Sequence, residues 1–377
     1  SIREKYEEIQ EKFDLDPIWN IHTFHAFFKR ELERAGKDFD LLVGSHKSSY
    51  YNEMKTAIKD IKGRYAQQLL KSFETITGFQ SNAMLTDYKD NRAFVDSDFT
   101  VEEYEAVLSE YNFFKKENNI LDFNDLQEEF LKLIETDPKI VESIRKRFSF
   151  WILDEVQDTS RIQYQIIKTL LPRDTNNLSV YGDDDQNIYE WRGTDNKIIL
   201  EMPDHFLNME TYYLKKNYRC SQKVIDLVSN SIKKNEVRAE KPMEGVHNLG
   251  EINLAGYLSL KEQSKAILDS IKKWDNQGRP GTYGVLAPTN KDLIILGHSL
   301  LVKGISFNYY PDKSLVSSFP VKLIEMLLKI LKNPTNKDII KKWEFLIIPR
   351  KERVRNLHRN MSGLKPFYKA LNFRTRD

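Results

Sequence analysis

The chain has 377 residues, which predicts two or three domains because a single hydrophobic core stops growing at about 250–300 residues. Hydrophobic residues make up 40% of it and charged residues 30%, a balance that excludes a disordered protein. No apolar run approaches the roughly 20 residues of a membrane span, and no signal peptide is visible. The single cysteine, Cys220, excludes an internal disulfide framework, so we predict a cytoplasmic protein without a membrane partner.

The net charge of +2 hides an uneven distribution. Residues 341–377 contain eleven Lys or Arg and three Asp or Glu, whereas the rest of the chain is net acidic. Such a basic end either faces phosphate groups or forms the solvated faces of helices, and charge alone leaves both interpretations open.

The first third of the chain is predicted to be mainly helical. Residues 18–28 indicate a short strand, a turn and the start of a helix. Residues 41–119 are mostly polar and helical in pattern, with one long charged helix over 101–116. A further amphipathic helix is predicted over 126–134.

The pattern then changes to alternating strands and helices. Residues 148–153 form a short apolar run that ends in acidic residues, which is typical of a buried parallel strand. A helix over 162–171 is closed by Pro172, and a second strand over 178–181 ends in polar residues. Polar residues at successive strand ends predict an α/β sheet with a ligand site at the carboxyl ends of its strands.

A second α/β pattern begins near residue 211. Its predicted elements are an extended segment that leads into 217–219, a helix over 222–233, a strand over 283–287, and helices over 293–303 and 321–331. Asn333-Pro334 marks a further boundary.

The strongest chemical motif follows the first predicted strand and reads Leu153-Asp154-Glu155-Val156-Gln157-Asp158-Thr159. Paired carboxylates at a strand end suit a nucleotide triphosphatase, because one can hold Mg²⁺ and the other can orient the attacking water. The alternative is an acidic helix N-terminus, where Asp and Glu complement the helix dipole.

The second motif follows the next strand and reads Gly182-Asp183-Asp184-Asp185-Gln186-Asn187-Ile188-Tyr189-Glu190-Trp191-Arg192-Gly193. A calcium loop of the EF-hand type is excluded, because Ile188 stands where that loop needs glycine. Tyr189 and Trp191 can stack on nucleic-acid bases, and Arg192 supplies positive charge. Burial of the two rings in a core is the alternative, which the polar neighbours disfavour.

Taken together, these motifs resemble those of superfamily 1 DNA helicases of the UvrD, Rep and PcrA family. The similar segments, in family order, are Thr23-Phe24-His25, Leu121-Asp122-Phe123-Asn124-Asp125-Leu126, Asp154-Glu155-Val156-Gln157-Asp158-Thr159, Gly182 to Gly193, and Asn217-Tyr218-Arg219-Cys220-Ser221. The resemblance implies an α/β fold with RecA-like P-loop NTPase motor domains, parallel sheets and an inserted helical subdomain.

The resemblance also implies roles in ATP hydrolysis. Asp154 would hold Mg²⁺ and Glu155 would be the catalytic base. Gln186 would sense the γ-phosphate of ATP and couple its presence to DNA binding. Tyr218 would pack on adenine, and Arg219 would be an arginine finger that neutralises charge in the transition state.

DNA contacts are implied for a second set of residues, namely Thr23, Phe24, His25, Tyr189, Trp191 and Arg192. For His25, a buried structural histidine is an equal alternative. The implied partners are single-stranded DNA and single-strand/duplex junctions, together with proteins of DNA repair or replication, and the implied movement is 3′ to 5′.

The motif order predicts a division into five segments. Residues 1–32 and 120–210 would form the first motor domain, interrupted by the helical subdomain at 33–119. Residues 211–335 would be part of the second motor domain, and 336–377 would begin a second insertion.

The phosphate-binding sequence Gly-x-x-x-x-Gly-Lys-Ser/Thr is absent from the 377 residues. We therefore expect the chain to be a fragment that is inactive as an ATPase by itself. Ser81-Asn82-Ala83-Met84 matches a remnant of a common expression tag, but motifs on both sides keep their order, so we interpret it as native.

Two other functions remain open at this stage. One is an ATPase-silent protein that keeps the DNA-stacking surface and serves as a binding or partner module. The other is the helicase part of a helicase–nuclease. A nuclease domain downstream of this chain would decide in favour of that interpretation.

Overall fold

The computed structural model describes residues 20–62, 66–248, 250–278 and 281–308. The chain divides into two compact units, Ser1–Ile252 and Asn253–Asp377. The predicted strand start at residue 18, the helix over 321–331, the boundary at Asn333-Pro334 and the basic end lie outside the described residues.

Helices and short parallel strands alternate along the described chain. In chain order they are α1 (Phe24–Arg34), β1 (Asp40–Leu41), α2 (Gly44–Lys62), α3 (Ala66–Asn82), α4 (Arg92–Val95), α5 (Val101–Glu117), β2 (Ile120–Leu121), α6 (Phe123–Thr136), α7 (Pro138–Arg147), β3 (Trp151–Leu153), α8 (Arg161–Leu170), β4 (Leu178–Val180), α9 (Lys197–His205), β5 (Lys216–Ser221), α10 (Gln222–Ile232), β6 (Glu244–His247), α11 (Leu260–Asn276) and α12 (Asn290–Val302). None of these described helices has the length and apolar character that crossing a bilayer requires.

The strands form three parallel pairs, β1 with β2, β3 with β4, and β5 with β6. In the middle pair Trp151 lies opposite Leu178 and Leu153 lies opposite Val180. Because the two strands run in the same direction, the segments that follow Leu153 and Val180 leave the sheet at one edge. This register brings the two predicted motifs together.

The core around the middle pair is built by helices from distant parts of the sequence. Phe28 of α1 stacks on Phe130 of α6 with ring centroids 5.1 Å apart, and both rings are buried. Ile162, Ile166 and Leu170 present one apolar face of α8 at helical spacing, and all three are buried in the same core. Ser160 begins α8 with a capping box to Gln163, which confirms the helix predicted after the first motif.

A separate core joins α2, α3 and α5. Tyr50, Phe73 and Tyr111 are buried there, with ring centroids 5.2–5.4 Å apart in the pairs that Tyr111 forms. The long helix predicted over 101–116 is confirmed as α5, and a capping box between Thr100 and Glu103 fixes its start. The helical pattern of residues 41–119 thus folds around its own apolar centre.

Two predictions about strands need correction. The parallel strand predicted over 148–153 forms as β3, but it is buried on one face only: Trp151 and Leu153 pack against the core, whereas Ile152 is 66% exposed and Phe150, just before the strand, is 76% exposed. Among the described residues β3 pairs only with β4, and the face that carries Ile152 stays largely exposed. Residues 283–287 form no strand; Leu286 is 98% exposed, and an extended segment without a described neighbour lacks the pairing that a strand needs.

The second unit contains α11 and α12. Leu268 of α11 packs with Leu296 and Leu300 of α12 in a small core. The helix predicted over 293–303 is confirmed as α12, which begins at the N-cap Thr289.

Candidate functional site

The carboxylate loop, residues 154–159, follows β3 directly. Asp154 and Glu155 are both exposed. Glu155 adopts a left-handed backbone conformation with φ 52°, which costs a non-glycine residue about 1–2 kcal/mol. Its backbone N–H donates to Asp154 Oδ1 at 3.0 Å, so the turn fixes the Asp154 carboxyl group at the strand end.

Gln157 links this loop to the next strand end. Its buried side chain is 2% exposed, and Nε2 donates to Glu155 Oε2 at 2.7 Å. Its Oε1 accepts the backbone N–H of Asp183 at 3.0 Å. A Cβ on Gly182 would lie 2.7 Å from that same Oε1, so any larger residue there would displace the Gln157 side chain. Gln157 is a positioning residue that the sequence analysis did not assign, although it lies within the quoted motif.

The aspartate turn, formed by Asp183, Asp184 and Asp185, contacts two cations from the segment after α10. Lys241 pairs with Asp183 and Asp184, and its Nζ lies 3.1 Å from Asp185 Oδ2. Arg238 donates to Asp185 through Nε at 3.1 Å and Nη2 at 3.0 Å. The three carboxylates lie close enough together to hold a metal ion, but these side-chain cations already occupy their oxygens.

Ionisation of the aspartate turn follows from these contacts. Burial opposes the charge on Asp183, but hydrogen bonds from Lys241 and Gln186 outweigh it and lower the pKa of Asp183. Burial is likewise outweighed at Asp185, where Arg238 and Lys241 lower the pKa. Gln186 is exposed, and its Nε2 donates to Asp183 Oδ2 at 2.7 Å. The charged turn therefore orients the predicted phosphate sensor.

The stacking loop, residues 187–193, carries the predicted aromatic pair. The Arg192 guanidinium lies 5.0 Å from the centre of the Tyr189 ring and 4.5 Å from that of Trp191. Trp191 is 55% exposed, which rules out burial of this ring in a core. Two rings and one cation on an exposed loop make a surface suited to stacking on bases.

His25 lies against an aromatic residue that the sequence analysis did not assign. Its ring is 5.1 Å from that of Phe123, the first residue of α6, which is 51% exposed. Burial lowers the pKa of His25, and the nearby Asp122 only partly offsets this. The signal available in the sequence was an aromatic residue between the polar residues Asp122 and Asn124.

Thr23 and Phe24 serve the start of α1. Thr23 is the N-cap, and its Oγ1 accepts the N–H of Ala26 at 3.3 Å. Phe24 is half-buried and packs 5.9 Å from Phe28, so much of this ring belongs to the core. Thr23 is exposed, whereas Phe24 and His25 are both half-buried, so Thr23 is the most accessible part of this predicted contact.

Tyr218 and Arg219 lie on β5. Tyr218 is 69% exposed and Arg219 is also exposed. Asn217 Oδ1 accepts the backbone N–H groups of Arg219 at 3.0 Å and Cys220 at 2.8 Å, which fixes the local backbone. Among the described residues, neither side chain is hydrogen-bonded or ion-paired to the carboxylate loop.

The carboxylate loop has the donor set that a magnesium nucleotide requires. Asp154 and Glu155 offer exposed carboxylate oxygens, the ligand type that Mg²⁺ prefers. Asp158 Oδ1 and Thr159 Oγ1 are buried without a hydrogen-bond partner among the described residues. Burial, and then Glu155, raise the pKa of Asp158. These oxygens fit Mg²⁺ and phosphate chemistry, and Asp154 is the residue predicted to hold the ion.

The parallel strand pairs, the carboxylates at a strand end and the separate helical core define a RecA-like α/β protein with an inserted helical subdomain. Residues 2–207 match the UvrD/REP helicase N-terminal domain, and residues 212–359 match the UvrD-like helicase C-terminal domain. The chain therefore belongs to the UvrD/REP helicase family.

Similar curated proteins are bacterial helicases. The chain is 28% identical over 329 residues to the ATP-dependent DNA helicase PcrA of Bacillus subtilis strain 168, covering 85% of this chain and 43% of that protein. It is 25% identical over 351 residues to PcrA of Staphylococcus aureus strain Mu50, covering 89% and 46%. A probable DNA helicase II homolog of Mycoplasma capricolum is 28% identical over 268 residues, covering 68% and 36%. The chain thus spans less than half the length of these relatives.

Proposed function

We propose that the protein containing this chain is an ATP-dependent DNA helicase that translocates 3′ to 5′ on single-stranded DNA. ATP and Mg²⁺ are its cofactors, and it acts in the cytoplasm on single strands and single-strand/duplex junctions. Its protein partners belong to DNA repair or replication. The family matches and the names of the relatives support the helicase class.

The observation that carries this proposal is a hydrogen-bonded link between hydrolytic and DNA-stacking groups. Glu155 is bonded to Gln157, and Gln157 is bonded to the backbone of Asp183. Three to six residues further along the chain from Gln186, the stacking loop carries the half-buried Tyr189 and the exposed Trp191 and Arg192. A conformational change in the carboxylate loop can therefore reach the base-stacking side chains through these hydrogen bonds and a short stretch of backbone.

Each side chain has a defined task in this proposal. Glu155 accepts the proton of the attacking water, and Asp154 holds the Mg²⁺ that neutralises phosphate charge. Gln186 reads the γ-phosphate from its anchored position on Asp183. Tyr218 packs on adenine, and Arg219 stabilises the charge of the transition state.

The single strand lies across a second group of side chains. Tyr189, Trp191 and Arg192 stack on bases, and the proposal adds Phe123 because its exposed ring lies beside His25. Thr23, Phe24 and His25 contact the strand at the start of α1. Base stacking does not read sequence, so binding without sequence preference is expected.

The test is Glu155→Gln in the full-length protein, assayed for ATP binding, ATP hydrolysis and unwinding. The variant should bind ATP normally and lose at least about 100-fold in turnover, because the amide cannot accept the proton of water. Duplexes with a 3′ tail should be unwound by the wild type, and those with a 5′ tail should not. Retained turnover in the variant would refute the role of Glu155, and a wild type that binds DNA without turnover would favour the ATPase-silent module.

A further inference from the structure

Three side-chain amides form a directional chain of hydrogen bonds between the two loops of the site. Gln163 Oε1 accepts the backbone N–H of Ser160 at 3.2 Å, and its Nε2 donates to Gln127 Oε1 at 3.4 Å. Gln127 Nε2 donates to Asn82 Oδ1 at 2.7 Å. Asn82 Nδ2 then donates to the backbone carbonyl of Arg192 at 2.9 Å. Each amide accepts on one side and donates on the other, in one consistent direction.

The burial of this chain argues against a purely packing role. Gln127 is 0% exposed and Gln163 is 8% exposed. A buried amide lowers stability unless each of its polar atoms is bonded, and a leucine of similar size would fill the same space without that requirement. What the amides add over leucine is a fixed direction and a fixed length between the segments they join.

The two ends of the chain are the two loops of the proposed site. Ser160 follows the carboxylate loop and caps α8. Arg192 belongs to the stacking loop, and Gly193 behind it packs directly on the end of α3. A Cβ on Gly193 would lie 2.8 Å from Asn82 Cβ, and the glycine φ is +85°. The backbone of the stacking loop is therefore seated on α3 and bonded there by Asn82.

We propose that Asn82, Gln127 and Gln163 are positioning residues, an amide relay that holds the stacking loop in register with the end of the carboxylate loop. This inference rests on the proposed role of Tyr189, Trp191 and Arg192 in DNA binding. It gives the core of α2, α3 and α5 a role in that function, because the end of α3 supports the stacking loop. It also explains Asn82 within Ser81-Asn82-Ala83-Met84, whose amide is bonded at both ends.

Asn82→Asp is the sharpest test. The carboxylate keeps the shape of the amide and still accepts a hydrogen bond from Gln127. It cannot donate to the Arg192 carbonyl, because its second oxygen takes the place of the donor nitrogen and repels the carbonyl oxygen. The relay predicts faster hydrogen–deuterium exchange over 187–195 and a single-stranded DNA affinity about five- to tenfold weaker. Affinity is measured on the 377-residue chain with a fluorescent oligo(dT).

Asn91→Asp is the matched control. Asn91 is 0% exposed in the same helical core, and its Nδ2 donates to the Ile76 carbonyl at 3.1 Å and to Gln80 Oε1 at 2.7 Å. It touches neither loop of the site. Its substitution should lower the thermal midpoint while leaving exchange over 187–195 and DNA affinity unchanged. Equal effects of the two variants on exchange and affinity would overturn the relay and leave a structural role only.

Gln127→Met provides a second variant that keeps the volume of the side chain and breaks the relay in the middle. It should shift exchange and affinity in the same direction as Asn82→Asp, and the double variant should lose less than the product of the two single effects. Independent effects that multiply would overturn the relay as a unit.

Trp191→Ala separates the inference from the function on which it rests. If Asn82→Asp changes exchange over 187–195 and Trp191→Ala leaves DNA affinity unchanged, the relay stands and the DNA role of the loop fails. If Trp191→Ala weakens DNA binding and Asn82→Asp changes neither readout, the DNA role stands and the relay fails.

Discussion

Glu155 shows how a strand end is converted into a reactive site. Its left-handed backbone is unfavourable for a residue with a Cβ, and hydrogen bonds from its own N–H to Asp154 and from Gln157 to its carboxylate offset that cost. The carboxyl group is left exposed with one fixed donor. In its proposed role as the catalytic base, a carboxylate held in this way needs little rearrangement when water and phosphate bind.

Trp191 gives the most direct test of DNA contact. Replacing it with alanine should weaken single-stranded DNA binding by roughly 5- to 150-fold, the effect of losing one base-stacking interaction of about 1–3 kcal/mol. The thermal midpoint should change little, because the ring is 55% exposed. Fluorescence anisotropy with oligo(dT) measures the affinity.

Phe113→Ala is the control for that substitution. Phe113 is 61% exposed on α5, so it matches the chemistry and exposure of Trp191 outside the stacking loop. Its removal should leave affinity unchanged. Unchanged affinity in Trp191→Ala as well would show that the indole is not part of the DNA surface.

The segment after α10 and the loop after β4 are joined by ion pairs. The aspartate turn has three negative charges within a small volume, and Arg238 and Lys241 compensate two of them. Three of these side chains, those of Asp184, Asp185 and Lys241, are 3–14% exposed. Losing one cation would leave carboxylates that repel each other with little solvent to screen them. The turn that anchors Gln186 therefore depends on a segment more than 50 positions further along the chain.

Lys241→Met should lower the free energy of unfolding by about 3 kcal/mol at pH 7, the low end of the cost of breaking a buried ion pair because Arg238 remains. Asp183 and Asp185 have lowered pKa values in the folded protein, so their stabilising effect is present above the ordinary Asp pKa of about 3.9. It is lost as pH falls through the folded pKa values. The difference between wild type and variant should therefore shrink below about pH 4, as urea unfolding across pH 3–7 would measure.

Lys146→Met is the control for charge removal at a surface. Lys146 pairs with Glu142 at 2.7 Å on α7, but both side chains are well exposed. Its replacement should leave the unfolding free energy unchanged at every pH. A pH-independent loss in Lys241→Met would contradict the assigned role of the aspartates.

The described first unit combines two apolar cores in one body. The core around β3 and β4 carries the carboxylate loop, and the core of α2, α3 and α5 supports the stacking loop through the end of α3. Where the amide relay joins the two cores, the contacts are hydrogen bonds. The direction of these bonds fixes the position of one core relative to the other more than the buried area does. The carboxylate loop and the stacking loop are thus held by different cores and linked by hydrogen bonds.

The isolated 377-residue chain should bind single-stranded DNA and fail to hydrolyse ATP. Its sequence contains the stacking loop but no Gly-x-x-x-x-Gly-Lys-Ser/Thr segment to cradle the phosphates. Phosphate release in the presence of oligo(dT), compared with Glu155→Gln in the same chain, measures this. Turnover above that variant would show that another part of the chain binds the phosphates.

Local sequence determined the chemical groups of this protein. Asp154 and Glu155 follow an apolar run and Trp191 lies among polar residues, so the exposure of all three could be predicted from neighbours in the sequence. Periodicity likewise predicted α5 and α8, because an apolar stripe and a capping residue are local signals.

Tertiary structure alone decided which residues hold those groups in place. Asn82 meets the Arg192 carbonyl across 110 positions, and Lys241 meets Asp183 across 58, separations at which sequence patterns carry no pairing signal. The exposure of Ile152 also escaped prediction, because an apolar strand reveals its character but not which neighbours cover it. Hydrophobic periodicity is a property of one segment, whereas positioning is a property of contacts between segments, and only the folded chain brings those together.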